Sequence, residues 1–228
     1  MILSDSCWMQ DTCKKYKNGQ CESGVFCQKL FRVNFLYEQS LLSKEQLRPY
    51  KLEDADDGIA FNQLKGIEEN IEDFVSKGKN IYIHSSISGN GKTQWSIELL
   101  KAYINKVWYK NDMTCCALFI NVPRFLLALK ASIQEQSDYI DHIKEHVFSA
   151  DLVVWDEVGI KSPTQFEYEN LLNYINTRID FGKSNIYTSN LSPRELKEVL
   201  KERLYSRIVN LSTDIEFYGE DKRGIYSK

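Results

Sequence analysis

The sequence predicts an α/β protein built on a parallel β-sheet with helices on both faces. Three observations carry that expectation. The apolar run Ile81-Tyr82-Ile83 leads through Ser85-Ser86-Ile87-Ser88-Gly89-Asn90-Gly91-Lys92-Thr93 into apolar residues at helical spacing. A second apolar run, Leu152-Val153-Val154-Trp155, ends in the adjacent carboxylates Asp156 and Glu157. Strand-like runs alternate with amphipathic helical patterns through the rest of the chain, as crossover connections between parallel strands require.

Each element follows from local pattern. Leu30 to Leu47 reads as a helix interrupted at Arg48-Pro49, because proline disfavours helix in the residue before it. Glu53, Asp54, Asp56, Asp57 and Gly58 mark a linker over residues 51–62, which divides an N-terminal module (1–50) from the α/β domain (63–228). Ile67, Ile71, Phe74 and Val75 repeat at helical spacing, and Ser76-Lys77-Gly78-Lys79 ends that helix ahead of the Ile81 strand. Ile97, Leu100, Ile104 and Val107 mark the next helix, and Cys116–Val122 a second strand stopped by Pro123. Two helices follow, with Phe125, Leu126, Leu129 and Ile133 on one face and Ile140, Ile143 and Val147 on the other. Beyond the Leu152 strand come a long helix through Tyr168, Leu171, Leu172, Ile175 and Ile179, a strand at Asn185–Thr188, a helix opened by Pro193, and a last strand at Ile215–Tyr218.

Composition narrows the class. With 228 residues, 43% hydrophobic and 12% aromatic, the chain is long enough to bury a substantial core. No apolar run reaches the roughly 18 residues of a membrane helix, and Met1-Ile2-Leu3-Ser4-Asp5 lacks the features of a signal peptide. A cytoplasmic location is therefore expected. The formal charge of −3, from 29 basic and 32 acidic side chains, argues against a globally basic nucleic-acid coat but permits a local positive groove.

The stretch from Ser85 to Thr93 reads as a phosphate-binding loop. Its backbone N–H groups at Ser88, Gly89, Asn90 and Gly91, the Lys92 ammonium and the metal-holding Thr93 hydroxyl would meet a triphosphate at one helix N-terminus. A glycine turn preceding a helix by chance is the plainer alternative. At a sheet's carboxyl edge, where open α/β folds bind ligands, Asp156 would hold Mg²⁺ and Glu157 would polarise the attacking water as general base. The loop and the paired acids together point to ATP with Mg²⁺, and no Asn-Lys-x-Asp motif of a guanine reader occurs.

Other residues are open to two readings. Asn190, just past the fourth strand, would orient the attacking water or contact the γ-phosphate, or else only begin a turn into the next helix. Arg203 and Arg207, four apart, fall on one helix face, and either is an arginine finger or a solvated surface residue. Cys7, Cys13, Cys21 and Cys27, separated by five, seven and five residues, suit Zn²⁺ in a reducing compartment, with disulfides or free thiols as the alternative. Phe166, Lys161 and Lys183 are candidate DNA contacts that core packing or solvation explains equally well.

Taken in order, Gly-Asn-Gly-Lys-Thr, Phe119-Ile120-Asn121-Val122-Pro123, Val153-Val154-Trp155-Asp156-Glu157, Thr188-Ser189-Asn190-Leu191-Ser192-Pro193 and Glu202-Arg203-Leu204-Tyr205-Ser206-Arg207 make the chain resemble DnaC/DnaI-type replicative helicase loaders, a branch of the AAA+ ATPases, over roughly residues 60–220. The resemblance implies Lys92 and Thr93 as Walker A, Asp156 and Glu157 as Walker B, Asn190 as sensor 1, and Arg203 ahead of Arg207 as the finger. It implies a zinc-bound, helicase-docking N-terminal module, a DnaB-type helicase and single-stranded DNA as partners, homo-oligomeric assembly, and ATP hydrolysis that is slow without partners and drives release. Two departures stand out. Ser86 replaces the usual first glycine, which costs about 1 kcal/mol and weakens nucleotide binding if that position needs positive φ. The chain also ends at Lys228, without room for a full C-terminal lid. An IstB-like transposition helper and a non-hydrolysing helicase-binding adaptor are the alternative functions.

Overall fold

Alternation along each strand decides the layering. The computed structural model describes residues 13–19, 21, 27–48, 58–159, 163–218 and 221. Five strands, β1 (Asn80–His84), β2 (Ala117–Asn121), β3 (Leu152–Asp156), β4 (Ser184–Ser189) and β5 (Thr213–Glu216), form one sheet in the order β2-β3-β4-β1-β5. Every pairing is parallel, with Ile83 beside Thr188, Val154 beside Ile186, and Asn121 beside Asp156. Ile81 and Ile83 face one core and Tyr82 the other, so strands buried on both sides read as continuous apolar runs.

The first core lies beneath α2 (Gln28–Gln39), α3 (Gly58–Glu69), α4 (Ile71–Ser76) and α5 (Lys92–Val107). The second lies beneath α6 (Val122–Ala131), α7 (Asp138–His146), α8 (Gln165–Asp180), α9 (Pro193–Val199) and α10 (Glu202–Tyr205). A π-helical turn, Ser206–Asn210, follows α10, and the short α1 (Lys14–Lys17) stands near the N-terminus. Among the described residues, no helix is long and apolar enough to cross a membrane.

Three expectations change. The helix expected from Leu30 to Leu47 ends at Ser40, because Leu41 turns left-handed at φ 64° and the Ser40 hydroxyl donates to the Tyr37 carbonyl at 2.7 Å. Its buried Val33, Leu36 and Tyr37 join the first core, and Phe119 N–H of the edge strand β2 donates to Ser40 O at 2.9 Å. Residues 28–42 thus pack onto the α/β body, although the sequence reading groups them with the N-terminal module. The helix expected over Ile67–Val75 begins at Gly58, within the expected linker, and breaks at Asn70 into α3 and α4. Pro123 does stop β2, but it does so inside the first turn of α6, whose N-cap Asn121 accepts from Arg124 N–H.

At the amino edge of the sheet, Arg178 on α8 is fully buried. Its guanidinium donates to the carbonyls of Val147 (2.5 Å), Ala150 (2.7 Å), Ser184 (2.6 Å) and Asp151 (3.5 Å) and to Asn185 Oδ1 (2.8 Å). Gly78, at φ 61°, lies so close to this edge that a Cβ would sit 2.4 Å from Gly182 O.

Candidate nucleotide site

The strand order sets the geometry of the site. Because β4 lies between β1 and β3, the loops leaving β1 and β3 open on either side of it at the carboxyl edge, the usual ligand position in open α/β sheets.

After β1 the chain turns at Gly89 (φ 78°) and Gly91 (φ 104°), and Gly91 is the N-cap of α5. Both angles favour glycine. Ser86 takes no positive φ, so the expected strain at the departure from the glycine motif does not arise. Ser85 organises the loop instead: its hydroxyl oxygen accepts from Ile87 N–H at 3.2 Å and from Asn90 Nδ2 at 2.7 Å. Lys92 is buried, and its ammonium donates to Ile87 O (2.8 Å), Asn90 Oδ1 (3.1 Å) and Ser85 O (3.3 Å). These partners are neutral oxygens, and anionic phosphate oxygens make stronger partners for an ammonium.

Thr93 and Asp156 come together as the motifs predict, with the Thr93 hydroxyl donating to Asp156 Oδ1 at 2.8 Å. Two residues to which sequence reasoning assigned no role complete the cluster. Asn121, at the end of β2, donates through Nδ2 to Asp156 Oδ2 at 3.2 Å and to Glu157 Oε2 at 3.0 Å. Thr188, on β4, donates to Asp156 Oδ1 at 2.7 Å and accepts from Glu157 N–H at 3.0 Å. The available signal was position: Asn121 closes an otherwise apolar strand, and Thr188 lies next to the last residue of β4, at the same edge of the sheet.

Burial pushes the Asp156 carboxyl above the usual carboxylate range, opposed by the hydrogen bonds from Thr188, Thr93 and Asn121 and reinforced by the neighbouring Glu157 charge. A cation beside Asp156 reverses that balance by favouring the charged form. The oxygen set of Thr93 and Asp156 suits a hard divalent ion such as Mg²⁺. Glu157 is exposed beyond the strand and takes a left-handed φ of 61°.

Asn190 is exposed immediately after β4, and Ser192 rather than Asn190 caps α9, with Glu195 completing a capping box. Arg203 is exposed on α10, whereas Arg207 is half-buried in the π-helical turn, so the two do not present equivalent faces. Among the described residues the Arg203 side chain forms no ion pair. Of the candidate DNA contacts, Lys183 pairs with Asp151 at 2.7 Å on the opposite edge of the sheet, Phe166 is exposed on α8, and Lys161 lies outside the described residues.

Cys7 also lies outside the described residues. Cys21 and Cys27 are exposed, and Cys27 caps α2 through its sulfur, which accepts from Leu30 N–H at 3.5 Å. Among the described residues no three His, Cys, Asp or Glu side chains gather as a metal site. The expected zinc cluster is therefore not supported by Cys13, Cys21 and Cys27 as they stand.

A five-stranded parallel sheet in this order, with a lysine-bearing glycine loop and a two-acid strand end meeting across β4, defines an AAA+ ATPase fold. The model of the bacterial DnaA ATPase domain matches residues 57–213, and the chain belongs to that family. The fold is similar to that of the DnaC helicase loader (20% identity, TM-score 0.60, 77% of this chain and 100% of that chain). It is also similar to that of DnaI (21%, 0.61, 78% and 95%). The replication initiator DnaA bound to AMPPCP and single-stranded DNA is similar over 79% of this chain and 52% of its own (21%, 0.58). No curated protein matches the sequence.

Proposed function

We propose that the protein is an ATP-dependent loader of a DnaB-type replicative helicase, acting with single-stranded DNA in the cytoplasm. The observation that carries the ATPase part is the junction of Thr93 with Asp156 beside an exposed Glu157. A protein that only binds nucleotide has no need of the second acid. Likeness to the DnaC helicase loader and DnaI over more than three quarters of the chain supports loading, and the DNA-bound DnaA supports a single-stranded partner.

In this reading Ser88, Gly89, Asn90 and Gly91 wrap the phosphates, and Lys92 exchanges its carbonyl partners for phosphate oxygens. Mg²⁺, held by Thr93 and Asp156, would neutralise charge on the phosphates. Glu157 takes a proton from the attacking water, Asn190 orients that water, and the exposed Arg203 reaches a neighbouring copy's γ-phosphate. ATP favours the assembled, DNA-holding state, and hydrolysis releases the loader. The four N-terminal cysteines are read as part of the helicase-docking module, and zinc content per chain by elemental analysis tests that reading.

The deciding experiment is co-purification with a DnaB-type helicase, followed by ATP hydrolysis assays with and without single-stranded DNA. Helicase capture and DNA-stimulated turnover, lost in Glu157→Gln with ATP binding retained, support the proposal. Capture of a transposase instead supports the IstB-like helper. Helicase capture without any turnover identifies an adaptor.

A further inference from the structure

Glu157 carries its carboxylate on backbone that L side chains rarely adopt. Such a conformation persists when its surroundings over-determine it. Here the surroundings are the end of β4. Glu157 N–H donates to Thr188 Oγ1 at 3.0 Å, Val158 N–H donates to Thr188 O at 2.8 Å, and the Ser189 hydroxyl donates to Val158 O at 2.6 Å. Gly159 then passes beneath α9 at φ 103°, where a Cβ would meet Leu196 Cδ1 at 2.8 Å.

Thr188 is central to this arrangement, because its hydroxyl has one proton and two neighbours of fixed type. The Glu157 amide can only donate, so the Thr188 hydroxyl accepts there and turns its proton to Asp156 Oδ1, 2.7 Å away. One polarised chain therefore runs from the Glu157 backbone through Thr188 to Asp156. It ties the turn that presents the general base to the carboxylate that faces Thr93. Asn121 holds the same two acids from β2, on the other flank of β3.

We propose that Thr188 is a positioning residue for ATP hydrolysis, its hydroxyl holding the left-handed turn that sets Glu157 against the attacking water. The proposal rests on the ATPase reading above. A purely structural role for this buried side chain would lie in its methyl group and its volume. The two roles separate by substitution, since valine keeps the shape and loses the hydroxyl, whereas serine keeps the hydroxyl and loses the methyl.

The test is steady-state ATP hydrolysis by the full chain, with AMPPCP affinity measured in parallel. Thr188→Val lowers kcat about 100-fold, within the range a positioned base contributes, with KM and AMPPCP affinity within about threefold of the parent. Thr188→Ser keeps kcat within about threefold. If the valine variant does not fold, Thr188→Ala against Thr188→Ser makes the same comparison, with serine expected to be the faster. Valine at parental speed with serine slowed overturns the proposal in favour of packing. A parallel loss of kcat and AMPPCP affinity in both variants overturns it as general damage. A parent chain that binds AMPPCP and turns over no ATP even with single-stranded DNA and a DnaB-type helicase present refutes the hydrolysis reading itself and this proposal with it, whereas an active parent with an equally active valine variant refutes the role of Thr188 alone.

Discussion

Two buried cations lie at opposite edges of the sheet, and both donate to neutral oxygens. Lys92, at the carboxyl edge, donates to two loop carbonyls and the Asn90 amide on a flexible stem that starts a helix. Arg178, at the amino edge, spreads a rigid fork over four backbone carbonyls and Asn185. Burial pulls the Arg178 guanidinium down to about 10, with the nearby Tyr187 and Asp151 opposing it. The contrast separates two uses of a buried charge. A compact ammonium with rotatable donors can change partners when a ligand arrives, whereas a planar guanidinium satisfied on every side fixes the chain segments around it.

Removing each cation sharpens the contrast. Arg178→Ala leaves several buried carbonyls without a donor and should lower stability by about 4 kcal/mol or more, read as the urea midpoint. Lys92→Ala should cost about 3 kcal/mol in ATP affinity by calorimetric titration, roughly 100-fold, while stability changes by less than about 1 kcal/mol. An Arg178 variant with parental stability, or a Lys92 variant that is destabilised and still binds, would break the division between the edges. Strain at the carboxyl edge gives a smaller effect of opposite sign. Glu157→Gly should abolish turnover and raise stability by about 1 kcal/mol, since glycine accepts the left-handed turn freely, a rise of roughly 2–4 °C in the thermal midpoint. In the second core, Tyr187 is buried, and its hydroxyl has no hydrogen-bond partner among the described residues. Tyr187→Phe should stabilise the protein by about 0.5–1 kcal/mol, measured in the same denaturation series.

The two edges also differed in how far the sequence disclosed them. The meeting of the Lys92–Thr93 loop with the Asp156–Glu157 strand end is legible because each motif carries a distinctive residue pattern, and alternation of apolar runs locates the strands. Arg178 was not, since its partners are mostly main-chain carbonyls, which no residue type announces, and an arginine in the last turn of an amphipathic helix reads as solvated. Thr188 and Asn121 escaped for a related reason: their roles come from strand order, which places β2 and β4 on either flank of β3. The sequence leaves open whether the position of Ser86 needs positive φ, because a motif names residue types and not angles; the positive angles fall at Gly89 and Gly91. The end of α2 at Ser40 escaped because a left-handed Leu41 is not announced by its residue type, and the bond from Phe119 to Ser40 that accompanies it joins segments far apart in sequence.

That bond between Ser40 and Phe119 bears on how the protein can be handled. β2 is an outer strand, and the segment after α2 covers its otherwise open side while α2 roofs the apolar surface beside it. A version trimmed to start at residue 58 would keep every residue of the cluster around Asp156 yet bare a strand margin and a greasy patch, the combination that makes polypeptides stick to one another. Solubility, rather than chemistry, would be the first property to suffer from such a truncation.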